Sequence, residues 1–310
     1  MSLSTERVYT LSDLKSWSQH FPSDHTALAV IGHPIAHSLS PVMHNAALAE
    51  LAKKRQELAK WRYFKFVIAP EQLEEALYLF REKNFLGLNL TVPHKTLVLE
   101  HIDTEVTTVE EAGAANTLKW IGTKWKGFNT DGYGLHHALA GHSVDIKDAD
   151  VILLGAGGAA RSAALECLVS QCASLHILNR TASTAHALIS HLKKSTAYIS
   201  GTELIIFNPA DHALPTNSLV INATSLGLKE SDESPIDLTK IPRPAFVFDM
   251  IYRPAQTRLL KQAAEMGIPN TNGLSMLVYQ GASSLEHWIE SPLPFDVLDL
   301  MHRTVRDALK

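Results

Sequence analysis

The chain alternates short apolar runs with longer segments in which apolar residues recur every three or four positions. After a polar start, Ala27 to Ile31 is an unbroken apolar run closed by Gly32 and Pro34, which predicts a buried strand ending in a loop. Pro41 opens a predicted helix with apolar positions Val42, Leu48 and Leu51, and Lys53, Lys54 and Arg55 near its end suit the negative pole of a helix. A strand over 63–68, a helix from Glu71 to residue 83 and a strand over 86–91 follow. This alternation predicts a mostly parallel sheet with helices on its faces. Two further strand-like runs, 115–120 and 124–129, flank Ile121-Gly122-Thr123 and predict a hairpin that ends the first domain.

A second alternating series begins at Val151, with strands over 151–154, 175–178, 204–207, 219–222 and 246–249 and a helix starting near Gly158. That is the pattern of a nucleotide-binding fold. Helical spacing over 274–289 and 297–309 finishes the chain and is expected to return to the first domain. At 310 residues the chain exceeds one typical domain. Two α/β domains are therefore expected, the first with a mostly parallel sheet and the second a nucleotide-binding fold, with one large core as the alternative. Residues 1–26 read as a polar N-terminal extension with no function assigned.

Composition narrows the function. A formal net charge of -4, with Lys and Arg scattered rather than clustered, argues against a nucleic-acid partner. Cys167 and Cys172 lie five apart, on different faces of a helix, and match no metal spacing, so both read as buried small hydrophobes in a reducing compartment. Charged residues punctuate the first 25 positions and no apolar run has the length of a membrane span. A cytoplasmic location, with no membrane partner, is expected.

The strand at 151–154 runs into Gly155-Ala156-Gly157-Gly158-Ala159-Ala160, a G-x-G-x-x-G/A loop between strand and helix. The first glycine permits the tight turn, the second lets the backbone approach a pyrophosphate, and the helix start supplies N–H groups to an anion. The alternative is a merely structural turn. The next strand ends in Asn179-Arg180-Thr181 rather than an acidic residue, which favours a 2'-phosphate and hence NADP over NAD; a solvated surface arginine is the plainer reading.

Upstream, Asn89 to Lys95 sets a lysine just after a strand, and Asn129-Thr130-Asp131-Gly132 sets a carboxylate after the hairpin. Together Lys95 and Asp131 could shuttle the proton that accompanies hydride transfer to a carbonyl, whereas each alone reads as a surface or structural ion pair. Ser38 and Ser40, two apart in a loop, could offer hydroxyls to a carboxylate, or Ser40 could cap the helix that Pro41 opens. His44 reads as a packed or capping histidine, since no second ligand stands at metal spacing, and no metal is expected.

These segments together resemble the shikimate dehydrogenases. The resemblance runs from about residue 27 to the end and rests on Gly32 to Pro41, Asn89 to Lys95, Gly113 to Thr117, Asn129 to Gly132, the glycine loop, Asn179 to Thr181, Ile221 to Ser225, Asp249 to Pro254, and Asn272 to Gln280. It implies reversible, NADP-dependent reduction of 3-dehydroshikimate to shikimate, and an α/β fold of two domains: an N-terminal α/β substrate domain, mostly parallel, over 27–130 plus 274–310, and a Rossmann-like NADP-binding domain over 131–273. It further implies that Ser38 and Ser40 bind the substrate carboxylate, that Thr91, Asn116, Tyr252 and Gln280 line the substrate site, and that Lys95 and Asp131 are the catalytic pair. Gly155, Ala156, Gly157, Gly158 and Ala159 match the pyrophosphate loop, Asn179, Arg180 and Thr181 the 2'-phosphate site, and Thr224 and Gly273 further cofactor contacts. A monomer or homodimer is expected.

One position departs from the family pattern. Many NADP-specific members carry a second basic residue four positions after the arginine, and here that position is Thr184. Two other readings stand beside the first: a quinate/shikimate dehydrogenase with relaxed cofactor choice, and a catalytically silent NADP-binding regulator. Ser40, where a threonine would favour quinate in this family, and the presence of both Lys95 and Asp131 argue against them.

Overall fold

The computed structural model describes residues 3–104, 106–199, 201–207 and 214–310. In the first half the elements are β1 (Val8–Thr10), α1 (Leu11–Lys15), β2 (Thr26–Gly32), α2 (Ser40–Leu51), β3 (Trp61–Val67), α3 (Leu73–Glu82), β4 (Phe85–Leu90), α4 (His94–Leu97), α5 (Thr107–Ala112), β5 (Thr117–Ile121) and β6 (Lys124–Phe128). The second half holds α6 (Asp131–Ala140), β7 (Asp150–Leu154), α7 (Gly158–Val169), β8 (Ser174–Leu178), α8 (Ala182–Leu192), β9 (Glu203–Ile206), β10 (Leu219–Asn222), β11 (Phe246–Asp249), α9 (Arg258–Glu265) and β12 (Asn270–Asn272), then α10 (Leu274–Ile289) and α11 (Phe295–Asp307). Contacts divide the chain into two compact units. The first comprises Met1–Glu110, Ala114–Thr130 and Leu277–Lys310, and the second Glu111–Gly113 and Asp131–Met276.

The first unit is a six-stranded sheet in the order β1-β3-β2-β4-β5-β6. The first four strands are parallel and β5 and β6 form an antiparallel hairpin. Its core gathers Phe64, Phe66, Phe80 and Phe85 around Tyr9 and Trp17, largely edge to face, with Trp17 and Phe64 centroids 4.9 Å apart. Such pairs contribute about 0.5–1.5 kcal/mol each beyond area burial.

Tyr9 and Trp17 show that the expected polar extension over 1–26 is in fact structural. Apart from residues 1 and 2, which lie outside the described residues, this segment supplies an edge strand and a helix packed on α3. Thr10 and Asp13 close a capping box on α1, and Leu11 and Leu14, three apart, turn its apolar side inward. The segment leaves little periodic signal, because the helix is only about one turn long.

A second correction concerns α2. The helix begins at Ser40, its cap position is Leu39, and Val42, expected in the core, is 37% exposed while Met43, Ala47, Leu48 and Leu51 are buried. Lys53 to Arg55 follow the last turn rather than ending it, and Lys53 pairs instead with Glu50 at 2.6 Å.

The second unit is an all-parallel sheet in the order β12-β11-β10-β7-β8-β9. Read from β9, this is the doubly wound arrangement that starts at a central strand and reverses direction between β7 and β10. Val151 and Leu153 pack into one apolar layer and Ile152 and Leu154 into the other, so both faces of β7 are buried. Burial on both faces is why these strands read as continuous apolar runs. Cys167 and Cys172 are buried free thiols, and burial raises both pKa values, that of Cys172 to about 12. No described helix is long and apolar enough to cross a membrane.

Candidate functional site

Ligands collect at the carboxyl edge of parallel strands, and in the first unit that edge holds most of the candidate polar groups. β2 and β4 leave the sheet side by side: Thr91 N donates to Ile31 O at 3.0 Å, and His33 N donates to Val92 O at 2.9 Å. A Cβ on Gly32 would lie 2.5 Å from Thr91 Cγ2, so a side chain here would displace Thr91. Beyond β2 the chain turns at Ile35 and Ser38 and enters α2. Ser38 Oγ accepts from Ser40 N at 3.3 Å, whereas Ser40, 5% exposed, sits inside the first turn and does not cap it. Of the two readings for Ser40, capping is therefore removed.

Beyond β4, Lys95 lies in α4, half-buried, between two fixed points. Its carbonyl accepts from Ala115 N at 2.8 Å, and its neighbour His94 is buried with Nε2 2.8 Å from Ile68 O. Desolvation lowers the His94 pKa, so this imidazole anchors the turn as a neutral group. His44 is buried too, held by packing rather than by a hydrogen bond to its ring. It stacks on Tyr63 with centroids 4.2 Å apart, and burial lowers its pKa to about 3. Among the described residues no group of three His, Cys, Asp or Glu is placed to hold a metal.

Asn116 and Gln280 are brought together by a buried polar network that the sequence reading does not contain. Asn116 Nδ2 donates to Gln280 Oε1 at 3.2 Å and to Thr130 Oγ1 at 2.8 Å, and its Oδ1 accepts from Thr130 N at 2.9 Å. Beneath them Ser284 Oγ donates to Gln280 O at 2.9 Å, accepts from Asn89 Nδ2 at 2.9 Å and lies 2.7 Å from Thr117 Oγ1. Asn89 also accepts from the Tyr63 hydroxyl at 2.7 Å. Buried polar groups that satisfy one another in this way fix a unique geometry. The network orients both amides and holds Thr130, the residue that precedes Asp131. The available signal was Asn89 standing inside an otherwise apolar strand.

In the second unit Asp131 opens α6 and is 3% exposed, with Ser162 Oγ of α7 3.4 Å from its Oδ2. The glycine loop lies where the strand order reverses. Gly155, at φ +110°, would bring a Cβ to 3.1 Å from Ala223 O, so both its conformation and its packing exclude a side chain. Gly157 differs. It has an ordinary φ of -80°, and a Cβ there would meet nothing within 4 Å, so the space above it is open to a ligand. Gly157 occupies the cap position of α7, and no side chain caps the first-turn N–H groups. Ala156 is buried, while Gly158 and Ala159 start the helix half-exposed.

Gly155 N donates to Leu178 O at 2.8 Å, which ties the loop to the end of β8. There Asn179 Nδ2 donates to Thr181 O at 2.9 Å, and Arg180, Thr181 and Thr184 are exposed. An uncapped helix start beside open space, with an exposed arginine at the end of the neighbouring strand, fits a dinucleotide that carries an extra phosphate. Thr224 lies just past β10, its hydroxyl 2.8 Å from Asn222 Oδ1. Tyr252 is half-buried past β11. Gly273 has a structural reason of its own, since a Cβ would lie 2.1 Å from Met250 O.

Residues 30–118 match the family described as "Shikimate dehydrogenase substrate binding domain", and residues 138–250 match "Shikimate / quinate 5-dehydrogenase". The chain is 37% identical over 277 residues to a shikimate dehydrogenase (NADP(+)) of Symbiobacterium thermophilum, covering 87% of this chain and 91% of that one. With the enzyme of the same name from Methanocella arvoryzae it is 38% identical over 284 residues, covering 92% and 99%. In fold it is similar to the crystal structure of shikimate 5-dehydrogenase from Thermus thermophilus in complex with NADP(H) and shikimate. That similarity has a TM-score of 0.77 and 31% identity, over 92% of this chain and all of the other.

Proposed function

This chain belongs to the shikimate dehydrogenase family, and on that premise we propose that it interconverts 3-dehydroshikimate and shikimate with NADP in the shikimate pathway, towards chorismate and the aromatic amino acids. The observation that carries this reading is the buried network of Asn89, Thr117 and Ser284. It spends a fully satisfied polar core on orienting Asn116, Gln280 and Thr130 at the carboxyl edge of a sheet that also presents Ser38, Ser40, Thr91 and Lys95.

In this reading Ser38 and Ser40 donate hydroxyls to the substrate carboxylate. Thr91, Asn116, Gln280 and Tyr252 hold the ring hydroxyls and exclude water. In the direction of reduction Lys95 Nζ gives a proton to the carbonyl oxygen as it becomes a hydroxyl, and in oxidation it takes that proton back. Asp131, held by Ser162, orients the same oxygen. The nicotinamide of NADP supplies or accepts the hydride. Gly155 to Ala159 hold the pyrophosphate, Asn179 to Thr181 the 2'-phosphate, and Thr224 and Gly273 the rest of the cofactor.

All of these groups belong to one chain, so the reading requires no second copy, and a monomer or homodimer would serve. The two buried thiols suit a reducing compartment, and we place the enzyme in the cytoplasm. Purified protein should form 3-dehydroshikimate and NADPH from shikimate and NADP, with the product identified by mass. Absence of turnover in both directions, with NADP bound, would leave the silent regulator standing instead.

A further inference from the structure

One carboxylate in the second unit is buried and does no work in the chemistry above. Asp249 ends β11 and is 0% exposed. Its Oδ1 accepts from Asn222 Nδ2 at 2.9 Å and from Ile251 N at 3.0 Å, and its Oδ2 accepts from Thr257 Oγ1 at 2.7 Å. Each donor leads to a different segment. Asn222 ends β10, and its Oδ1 accepts from both the backbone N, at 3.0 Å, and the hydroxyl, at 2.8 Å, of Thr224. Thr224 Oγ1 in turn accepts from Leu226 N at 3.1 Å. Ile251 precedes Tyr252. Thr257 caps α9, with its Oγ1 accepting from Leu260 N at 3.3 Å, and its methyl would lie 3.1 Å from a Cβ on Gly227, at the far end of the same loop.

We propose that Asp249 is a positioning residue that sets the loop 223–227 carrying Thr224, and so governs affinity for NADP without touching it. The inference rests on the reading of Thr224 as a cofactor contact. A carboxylate suits this place because all three partners are donors, and an ionised carboxyl accepts from all of them at once. Burial works against it and raises its pKa to about 6, with the bonds from Thr257, Ile251 and Asn222 acting in the opposite sense. A residue whose only task was to stabilise the sheet could be apolar, like Phe246, Val247 and Phe248 before it.

The test is calorimetric titration of the full-length protein with NADP, alongside thermal unfolding. Asp249→Asn keeps the shape and removes the charge. NADP Kd is expected to weaken about tenfold, the worth of one hydrogen bond to a charged group. Thr257→Val should weaken it at least about threefold by removing one of the three donors, while Thr257→Ser keeps the wild-type Kd. If Asp249→Asn fails to fold, the two Thr257 variants decide by the same readout. A Kd within twofold of wild type in folded Asp249→Asn or Thr257→Val, even with lowered thermal stability, overturns the proposal, since a merely structural role would move stability alone. Wild-type protein that binds NADP but leaves shikimate unoxidised would defeat the proposed reaction while this inference stands. Wild-type protein that does not bind NADP would overturn both.

Discussion

Lys95→Ala is expected to lower kcat for shikimate oxidation by roughly two to four orders of magnitude, the usual worth of a positioned general acid or base. The neighbouring side chains narrow the choice of residue. Ser38, Ser40, Thr91, Asn116 and Gln280 carry hydroxyls and amides, which do not ionise near neutral pH and so are poor general acids and bases. His94 is neutral and lies 2.8 Å from Ile68 O, and His44 is packed against Tyr63. Lys95, half-buried just past β4, is the ammonium at this edge, beside the exposed His33 and His37 of the loop that follows β2. Its loss should leave the NADP Kd unchanged, because the cofactor residues lie on other elements. Lys95→Arg should not rescue turnover, since a guanidinium keeps the charge but does not release a proton. Single-turnover rates with saturating shikimate and NADP check this, and a kcat within tenfold of wild type would remove Lys95 from the chemistry. Asp131→Asn, measured alongside, shows which of the pair carries the proton.

The second large effect concerns the cofactor. Arg180→Ala should raise the KM for NADP by about ten- to a hundredfold, because one charge-assisted bond to a phosphate is worth about 1.5–3 kcal/mol. The KM for NAD should stay within twofold, since that cofactor lacks the phosphate. Arg180 is exposed, so the effect should shrink as salt is added. Thr184, in the first turn of α8, adds no second cation, so in the proposed reading discrimination between the cofactors leans on Arg180. Equal changes in the two KM values would take Arg180 out of the 2'-phosphate site.

The legibility of the fold followed burial. Strands β10 and β11 stand where the apolar runs place them, over 219–222 and 246–249, because burial on both faces leaves no polar interruption. β12 is invisible by the same logic: Asn270-Thr271-Asn272 is wholly polar and pairs only along one edge. β1 and α1 escaped because each is too short for a period to show. In the candidate site, residues grouped within a few positions could be proposed from the sequence, including Ser38 with Ser40, the glycine loop, and Asn179 to Thr181. Their supports could not. Asn89 meets Ser284 across 195 residues, and only the folded chain shows that Ser284 serves Gln280 one turn away. Asp249 was legible as part of a family motif, but its task depends on Asn222 and Thr257 arriving from either side.

The most direct measurement of the central claim is a set of initial rates for shikimate and quinate, each with NADP and with NAD. Shikimate with NADP should give the highest kcat/KM, ahead of quinate with the same cofactor by about tenfold or more, the scale on which a pocket separates substrates that differ by one small group. An equal or higher kcat/KM for quinate, or for NAD over NADP, would contradict the account.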